Sequence, residues 1–363
     1  MKFSIVRSKF LEGLRSVQNI VASKTSSPVM QNVYIETIGA AIRLTTTDID
    51  ISINCEVECE VTEPGTTTLP VKILANMVSC SAEGIIEVEV GEGERASIRA
   101  GSTKFRLVGI DPREFPTLPK DDEAYAYTVQ QATVREMLRK TSYAASQDET
   151  RRTLRGVMIA FKNGRLTMVA TDGRRLALVE KDYEFPVDQE REMILPTKAV
   201  VELQRALGNE GDALIMVQKS QISFNLGKVQ IYSKLVDDTY PNYSQVIPTS
   251  CEKTIDVDRQ MLVTAIERVS VMSNELHSTK LRFADNLLVV SSAASDIGEA
   301  KDEVPIKFDG EEVEIMFNPT YLLEALKAID DDEVKICLNN GHSPAVIKCS
   351  VPFIYVIMPL RVN

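Results

Sequence analysis

Three stretches of the chain share one hydrophobic–polar pattern, a short alternating strand that runs into an amphipathic helix. Phe3, Tyr127 and Ile255 open the strands. Phe10, Val134 and Leu262 then fall four residues before Leu14, Leu138 and Ile266, on one helical face. A second trio opens further helices at Leu69-Pro70, Leu195-Pro196 and Phe317-Asn318-Pro319. Proline suits a first helical turn, and Asn318 is placed to cap the third. Residues 44–48 (Leu-Thr-Thr-Thr-Asp) match residues 168–172 (Met-Val-Ala-Thr-Asp) in the same order.

Recurrence in constant order, at a spacing of about 125 residues, predicts three tandem units, 1–125, 126–250 and 251–363. The predicted helices are 7–19, 71–82, 131–145, 197–207, 259–272 and 319–329, two per unit. Alternating strands and turns such as Asn163-Gly164 and Glu63-Pro64-Gly65 fill the rest. The fold class is therefore α+β: three domains of like topology, each with two helices packed on antiparallel sheet.

Charge gains meaning on this frame. The chain has 363 residues and a net charge of −11, which by itself argues against nucleic acid. Counted separately, the six predicted helices carry +7 and the remainder −18, so the helices are the cationic part of an acidic protein. No apolar run reaches the roughly 18 residues that span a bilayer, and the first residues alternate like a strand rather than a leader. A cytoplasmic location without membrane attachment is the simplest expectation.

Candidate chemistry is sparse. The six cysteines form no CxxC pair and there are only two histidines, His277 and His342, so neither a zinc site nor the common nucleophile–base pairs are expected. No GxxxxGK[ST] loop is present, and no cofactor is expected. Asp48 and Asp172 are the acids that a metal-dependent nucleic-acid enzyme would use. Asp172-Gly173 is also a common turn dipeptide, and the third unit has Ala293-Ala294 there, so a structural role is the better reading.

Residues 171–177, Thr-Asp-Gly-Arg-Arg-Leu-Ala, resemble the TDGxRLA segment of bacterial β sliding clamps. Residues 233–237 (Ser-Lys-Leu-Val-Asp), 240–243 (Tyr-Pro-Asn-Tyr), 246–248 (Val-Ile-Pro) and 355–361 (Tyr-Val-Ile-Met-Pro-Leu-Arg) are similar to later landmarks of that family. The order is intact from Met1 to the last residues. The resemblance implies a non-catalytic homodimeric ring around double-stranded DNA that tethers the replicative polymerase subunit. It also implies loading by a separate ATPase and a cleft shared by other proteins with clamp-binding peptides. A monomeric peptide-binding scaffold with no DNA role is the other alternative.

The resemblance further implies where these functions sit. A peptide cleft between the second and third units would use Leu154, Thr171, Gly173, Arg174, Arg175 and Leu176. Pro241, Val246, Val356, Met358 and Leu360 would complete it. Its partners would dock a glutamine and a terminal hydrophobic pair. Lys24, Lys72, Gln147, Arg151, Arg152 and Lys198 are the DNA-contacting candidates, with ordinary solvated charge as the competing reading. Phe105 and Leu107 would meet Val271 and Met272 across the dimer seam, aided by acidic Glu299, Asp302 and Glu303. The chain departs from the family where Arg174 replaces a frequent histidine, where Gln245 replaces a basic residue, and where Val362-Asn363 extend the end.

Overall fold

A computed structural model describes residues 1–21, 27–117, 125–272, 278–294, 298–350 and 352–360. The helices among them fall where the periodicity places them: α1 (Arg7–Val17), α2 (Val71–Cys80), α3 (Gln131–Thr141), α4 (Thr197–Ala206), α5 (Arg259–Ser270) and α6 (Pro319–Ala328). Helix α1 buries Phe10, Leu11, Gly13, Leu14 and Val17, one stripe at helical spacing. Asp258 caps α5 by accepting from the Met261 N–H at 2.7 Å. Asn318 caps α6 through the Thr320 N–H at 2.9 Å, with Pro319 in its first turn. Predicted ends ran slightly long because 3-10 turns, Gln18–Ile20 and Ser142–Ala144, continue α1 and α3.

The chain forms two compact units, and the middle repeat is divided between them. The first contains Met1–Arg135 and Val201–Leu235. Its larger sheet is antiparallel and eight-stranded, in the order Tyr125–Gln130, Asp212–Val217, Gln221–Asn225, Val229–Lys234, Ile51–Glu58, Ala41–Thr47, Asn32–Ile38, Thr66–Pro70. Four strands thus come from the middle repeat and four from the first, joined where Ile231 faces Ile53. A five-stranded sheet runs Glu60–Glu63, Lys2–Val6, Ile85–Gly91, Arg95–Ala100, Thr103–Val108. Helix α1 packs on strands Ala41–Thr47 and Ile51–Glu58 and against α2.

The second unit contains Glu136–Val200 and the chain from Val236 onward. Its eight-stranded sheet is ordered Arg191–Pro196, Gly156–Lys162, Arg165–Thr171, Arg175–Asp182, Phe353–Ile357, Ala345–Lys348, Glu333–Leu338, Lys253–Asp258. The middle repeat meets the third where Leu176 faces Val356 and Ala177 faces Tyr355. A four-stranded sheet runs Gly298–Pro305, Leu287–Ala294, Thr279–Ala284, Val313–Phe317, with α5 packed on its first two strands and on α6. Both large sheets therefore close a seam between successive repeats by continuous backbone hydrogen bonding.

Candidate peptide cleft and nucleic-acid interface

At the seam of the second unit, a tight turn connects Arg165–Thr171 to Arg175–Asp182. Asp172 Oδ1 accepts the backbone N–H groups of Arg174 at 2.8 Å and Arg175 at 3.0 Å. The Thr171 hydroxyl donates to the Arg175 carbonyl at 2.5 Å and accepts from the Gly173 N–H at 3.1 Å. Gly173 has φ +86°, the left-handed region that glycine enters without strain. A Cβ there would also lie 3.1 Å from Arg151 Nη1. The turn presents the Arg174 carbonyl to the Met358 N–H at 2.9 Å, which ties the segment after Phe353–Ile357 to the rim.

Beyond the turn, Leu176 and Val356 belong to a buried apolar cluster with Met158, Val169, Ile194 and Tyr240. Leu154, Val236, Tyr243 and Ile247 pack against it half-buried. Met358 is 44% exposed and Val246 51%, while Leu360 is half-buried and its N–H donates to the Met316 carbonyl at 2.8 Å. Pro241 and Arg174 are exposed and Thr171 is half-buried. The arrangement is an apolar floor with mobile-rotamer methionine and polar turn atoms beside it. Burial raises the phenol pKa of Tyr240 far above its usual range, and that of Tyr243 more mildly.

The Arg175 side chain does not join this apolar floor; it lines the neighbouring depression with Asp172, Arg174 and Tyr321. Successive residues of a strand point to opposite faces, so Arg175 leaves the sheet on the side away from Leu176. There it is buried, pairs with Asp172 at 3.1 Å and with Glu324 of α6, and donates to the Tyr143 carbonyl at 2.6 Å. Its guanidinium carbon stands 4.2 Å from the Tyr321 ring centre. Burial opposes its charge, but the hydrogen bond to Glu324 and the surrounding negative groups raise its pKa on balance. Conversely, Tyr240, Tyr243 and Ile247, which the sequence marks only as landmarks of the resemblance, join the cluster. Large apolar side chains in an irregular, proline-punctuated loop were the signal available.

The basic candidates fall in three places. Gln147 and Arg151 line a depression of about 360 Å³ with Asp148, Asp172, Arg174, Arg175 and Tyr321, so it adjoins the rim of the candidate cleft. Arg151 is engaged there, donating to the Asp172 carbonyl at 3.1 Å. Hydrogen bonds from Thr150 hold the Asp148 carboxyl below its ordinary pKa. Arg152 and Lys198 line another depression of about 490 Å³ at the start of α4, joined by Arg155, which the sequence reading passed over. Lys72 is exposed on α2 in the first unit. In that unit Arg7, Arg15 and Arg205 surround a cavity of about 730 Å³ along α1 and α4, together with Glu12 and Glu202. Lys24 and Val362-Asn363 lie outside the described residues.

Phe105 and Leu107 are half-buried on Thr103–Val108, the outermost strand of the five-stranded sheet, beside Val108 at 63% exposure. Val271 follows α5 at 80% exposure. Met272 lies against Gly298, the first residue of Gly298–Pro305, the outermost strand of the four-stranded sheet. Of the acids on that strand, Asp302 is paired with Arg268 at 3.1 Å and Glu303 with Lys301 at 2.7 Å, which leaves less net charge for steering than the sequence suggested. Among the described residues no three His, Cys, Asp or Glu side chains stand together as a metal site. No helix among them is long and apolar enough to cross a membrane.

Comparison with known proteins covers the full chain. Residues 1–119, 128–242 and 244–361 match the N-terminal, central and C-terminal domains of the DNA polymerase III beta subunit. A beta sliding clamp of Chlamydia trachomatis is 32% identical over 100% of this chain and 88% of its own length. That of Pseudomonas aeruginosa is 31% identical over 99% of this chain and 100% of its own. The crystal structure of the P. aeruginosa sliding clamp bound to griselimycin superposes with a TM-score of 0.96 at 30% identity, covering both chains completely. The Bacillus subtilis sliding clamp gives 0.95 at 28% identity, again with complete coverage.

Proposed function

The chain belongs to the DNA polymerase III beta subunit family, the sliding clamps, and from that premise we propose that two copies close head to tail into a ring around duplex DNA. It is a non-catalytic subunit whose partners are DNA and the polymerase. The observation that carries the ring is a pair of open sheet edges in the first and third repeats. Thr103–Val108 carries Lys104 and Arg106 next to exposed Val108, and Gly298–Pro305 carries Glu299, besides Asp302 and Glu303 that pair with Arg268 and Lys301, near exposed Val271. Open edges seek a strand, and opposite charges set which edge meets which. An interface between two different surfaces of one chain must close on itself or polymerise, and two three-repeat chains suit closure.

Within such a ring the helices face the DNA. Together they carry +7 on a chain of −11, enough for weak, unspecific attraction to phosphates without the tight grip that would stop sliding. Gln147, Arg151, Arg152, Lys198, Lys72 and Lys24 are the contacts we assign to it. The apolar floor at Leu154, Leu176 and Val356, with Met358, Leu360, Val246 and Pro241 beside it, takes the short peptide of the polymerase and of other partners in the cytoplasm. Loading falls to a separate clamp-loader ATPase.

Retention on DNA tests the reading. Protein loaded by such an ATPase onto nicked circular DNA stays bound in high salt and is lost when the circle is cut, because salt screens charge but does not undo encirclement. Equal loss from circular and linear DNA as salt rises rejects the ring.

A further inference from the structure

Cys251 and Cys337 lie far apart in the sequence, yet the fold of the second unit sets them side by side. Strand Lys253–Asp258, at the edge of the eight-stranded sheet, pairs with Glu333–Leu338 so that Thr254 stands opposite Cys337. The Thr254 hydroxyl is 3.8 Å from the Cys337 sulfur. Cys251 comes just ahead of the edge strand, and its thiol turns back along it to donate to the Lys253 carbonyl at 3.7 Å. Asn339 clasps the backbone on both sides of Cys251. Its Oδ1 accepts the Glu252 N–H at 2.9 Å, and its Nδ2 donates to the Ser250 carbonyl at 3.3 Å. Cys251 is thereby held beside the strand end that carries Cys337, with its thiol against the Thr254 hydroxyl and the Cys337 thiol.

The two sulfurs have different surroundings. Cys251 is exposed, whereas Cys337 is 4% exposed and belongs to the apolar cluster of Leu176, Tyr240 and Val356. We propose that Cys251 and Cys337 form a redox modification site: a peroxide closes them into a disulfide that fastens the loop of residues 240–251 to the sheet beneath it. The accessible Cys251 thiolate attacks hydrogen peroxide, one oxygen leaves as water, and a sulfenic acid remains. The Cys337 thiol then attacks that sulfur, and the second oxygen leaves as water. Two thiols thus lose two electrons and two protons, and one peroxide becomes two waters. Desolvation, and after it the neighbouring Cys337 thiol, pushes the Cys251 thiol up to about 11, so thiolate is scarce at neutral pH and closure is slow. In a reducing environment such a pair stays open, and it closes only where oxidant persists. The fastened loop carries Pro241 and Val246 beside the proposed cleft, but the disulfide itself does not depend on that assignment.

The test uses the full chain with Cys80→Ser, which removes the exposed thiol of α2 that would otherwise join two copies. The protein is held in excess hydrogen peroxide at about pH 9, where more thiolate is present. Remaining thiols are alkylated, and the protein is digested without reductant for mass spectrometry. The expected product is one linked pair of peptides containing Cys251 and Cys337, lighter by two hydrogen atoms than their sum and separated by dithiothreitol. In the oxidised protein the Ile247 and Glu252 N–H groups should exchange about tenfold more slowly, and reductant should restore their rates. Cys251→Ser, at an exposed position that folding tolerates, should abolish both effects. Cys337→Ser should leave Cys251 to proceed to sulfinic acid, since no second thiol intercepts it. Overoxidised Cys251 in the parent with Cys337 still open to alkylation overturns the proposal. So do two thiols that both remain free, a link from either to another cysteine, or a link that leaves exchange in the loop unchanged.

Discussion

Asp48 and Asp172 hold the same turn in two different repeats. Asp48 Oδ1 accepts from the Asp50 and Ile51 N–H groups at 3.1 and 2.7 Å, as Asp172 does from Arg174 and Arg175. The hydroxyls of Thr47 and Thr171 each donate to the carbonyl four residues on, at 3.1 and 2.5 Å. The carboxylates that first invite a catalytic reading thus hold turn backbone, and that of Asp172 also pairs with Arg175. Asp48→Ala should cost about 1 to 2 kcal/mol of stability in urea unfolding, from lost hydrogen bonds to a charged group. The intact protein should leave labelled DNA uncut in the presence of Mg²⁺.

At the next position the two repeats differ. Gly173 has φ +86°, and Ile49 has φ +80° with its side chain 65% exposed. A β-branched residue in the left-handed region is strained, and little burial offsets it. Ile49→Gly should raise stability by about 1 kcal/mol, since relief of the strain outweighs the entropy of glycine. Gly173→Ala should lower it by a similar amount, about 1 to 2 kcal/mol, because φ is positive and Arg151 crowds the new Cβ. Paired urea titrations with opposite signs are the expected result.

Val271→Glu addresses the seam between copies. With Val271 at 80% exposure in the single chain, the substitution should leave folding and melting nearly unchanged. In a closed dimer it would bury an unpaired carboxylate, at a cost of several kcal/mol. Native mass measurement should show a folded monomer, and polymerase stimulation on long templates should disappear. A dimer that survives places the seam elsewhere.

Met358→Ala combined with Leu360→Ala removes several methylene-sized groups from the proposed peptide contact. At roughly 0.8 kcal/mol per buried CH₂ and 1.4 kcal/mol per decade, peptide affinity should fall by about two orders of magnitude. Fluorescence anisotropy reads the loss, and an unchanged dimer mass shows that cleft and seam are separate surfaces. Arg174→Ala, at an exposed rim position, should matter less and fade as salt rises.

The sequence by itself determined the repeats, the six helices and the fold class, because these depend on local periodicity. Phe10 and Leu14 mark a helical face wherever the helix goes, and Pro319 after Asn318 starts a helix on local stereochemistry alone. It determined the turn at Asp172 for the same reason. What it left open depends on which distant segments meet. Nothing local says that Arg175–Asp182 pairs with Phe353–Ile357, or that the middle repeat gives strands to both neighbours' sheets. Lys140, in the last turn of α3, reads as a solvated cation, yet it is 1% exposed with Glu136 at 2.7 Å. Arg175 and Leu176 are adjacent letters of one motif. Only the pairing of their strand, with α6 on one face and the Val356 cluster on the other, decides that the leucine joins the apolar cluster and the arginine pairs with Glu324 of α6.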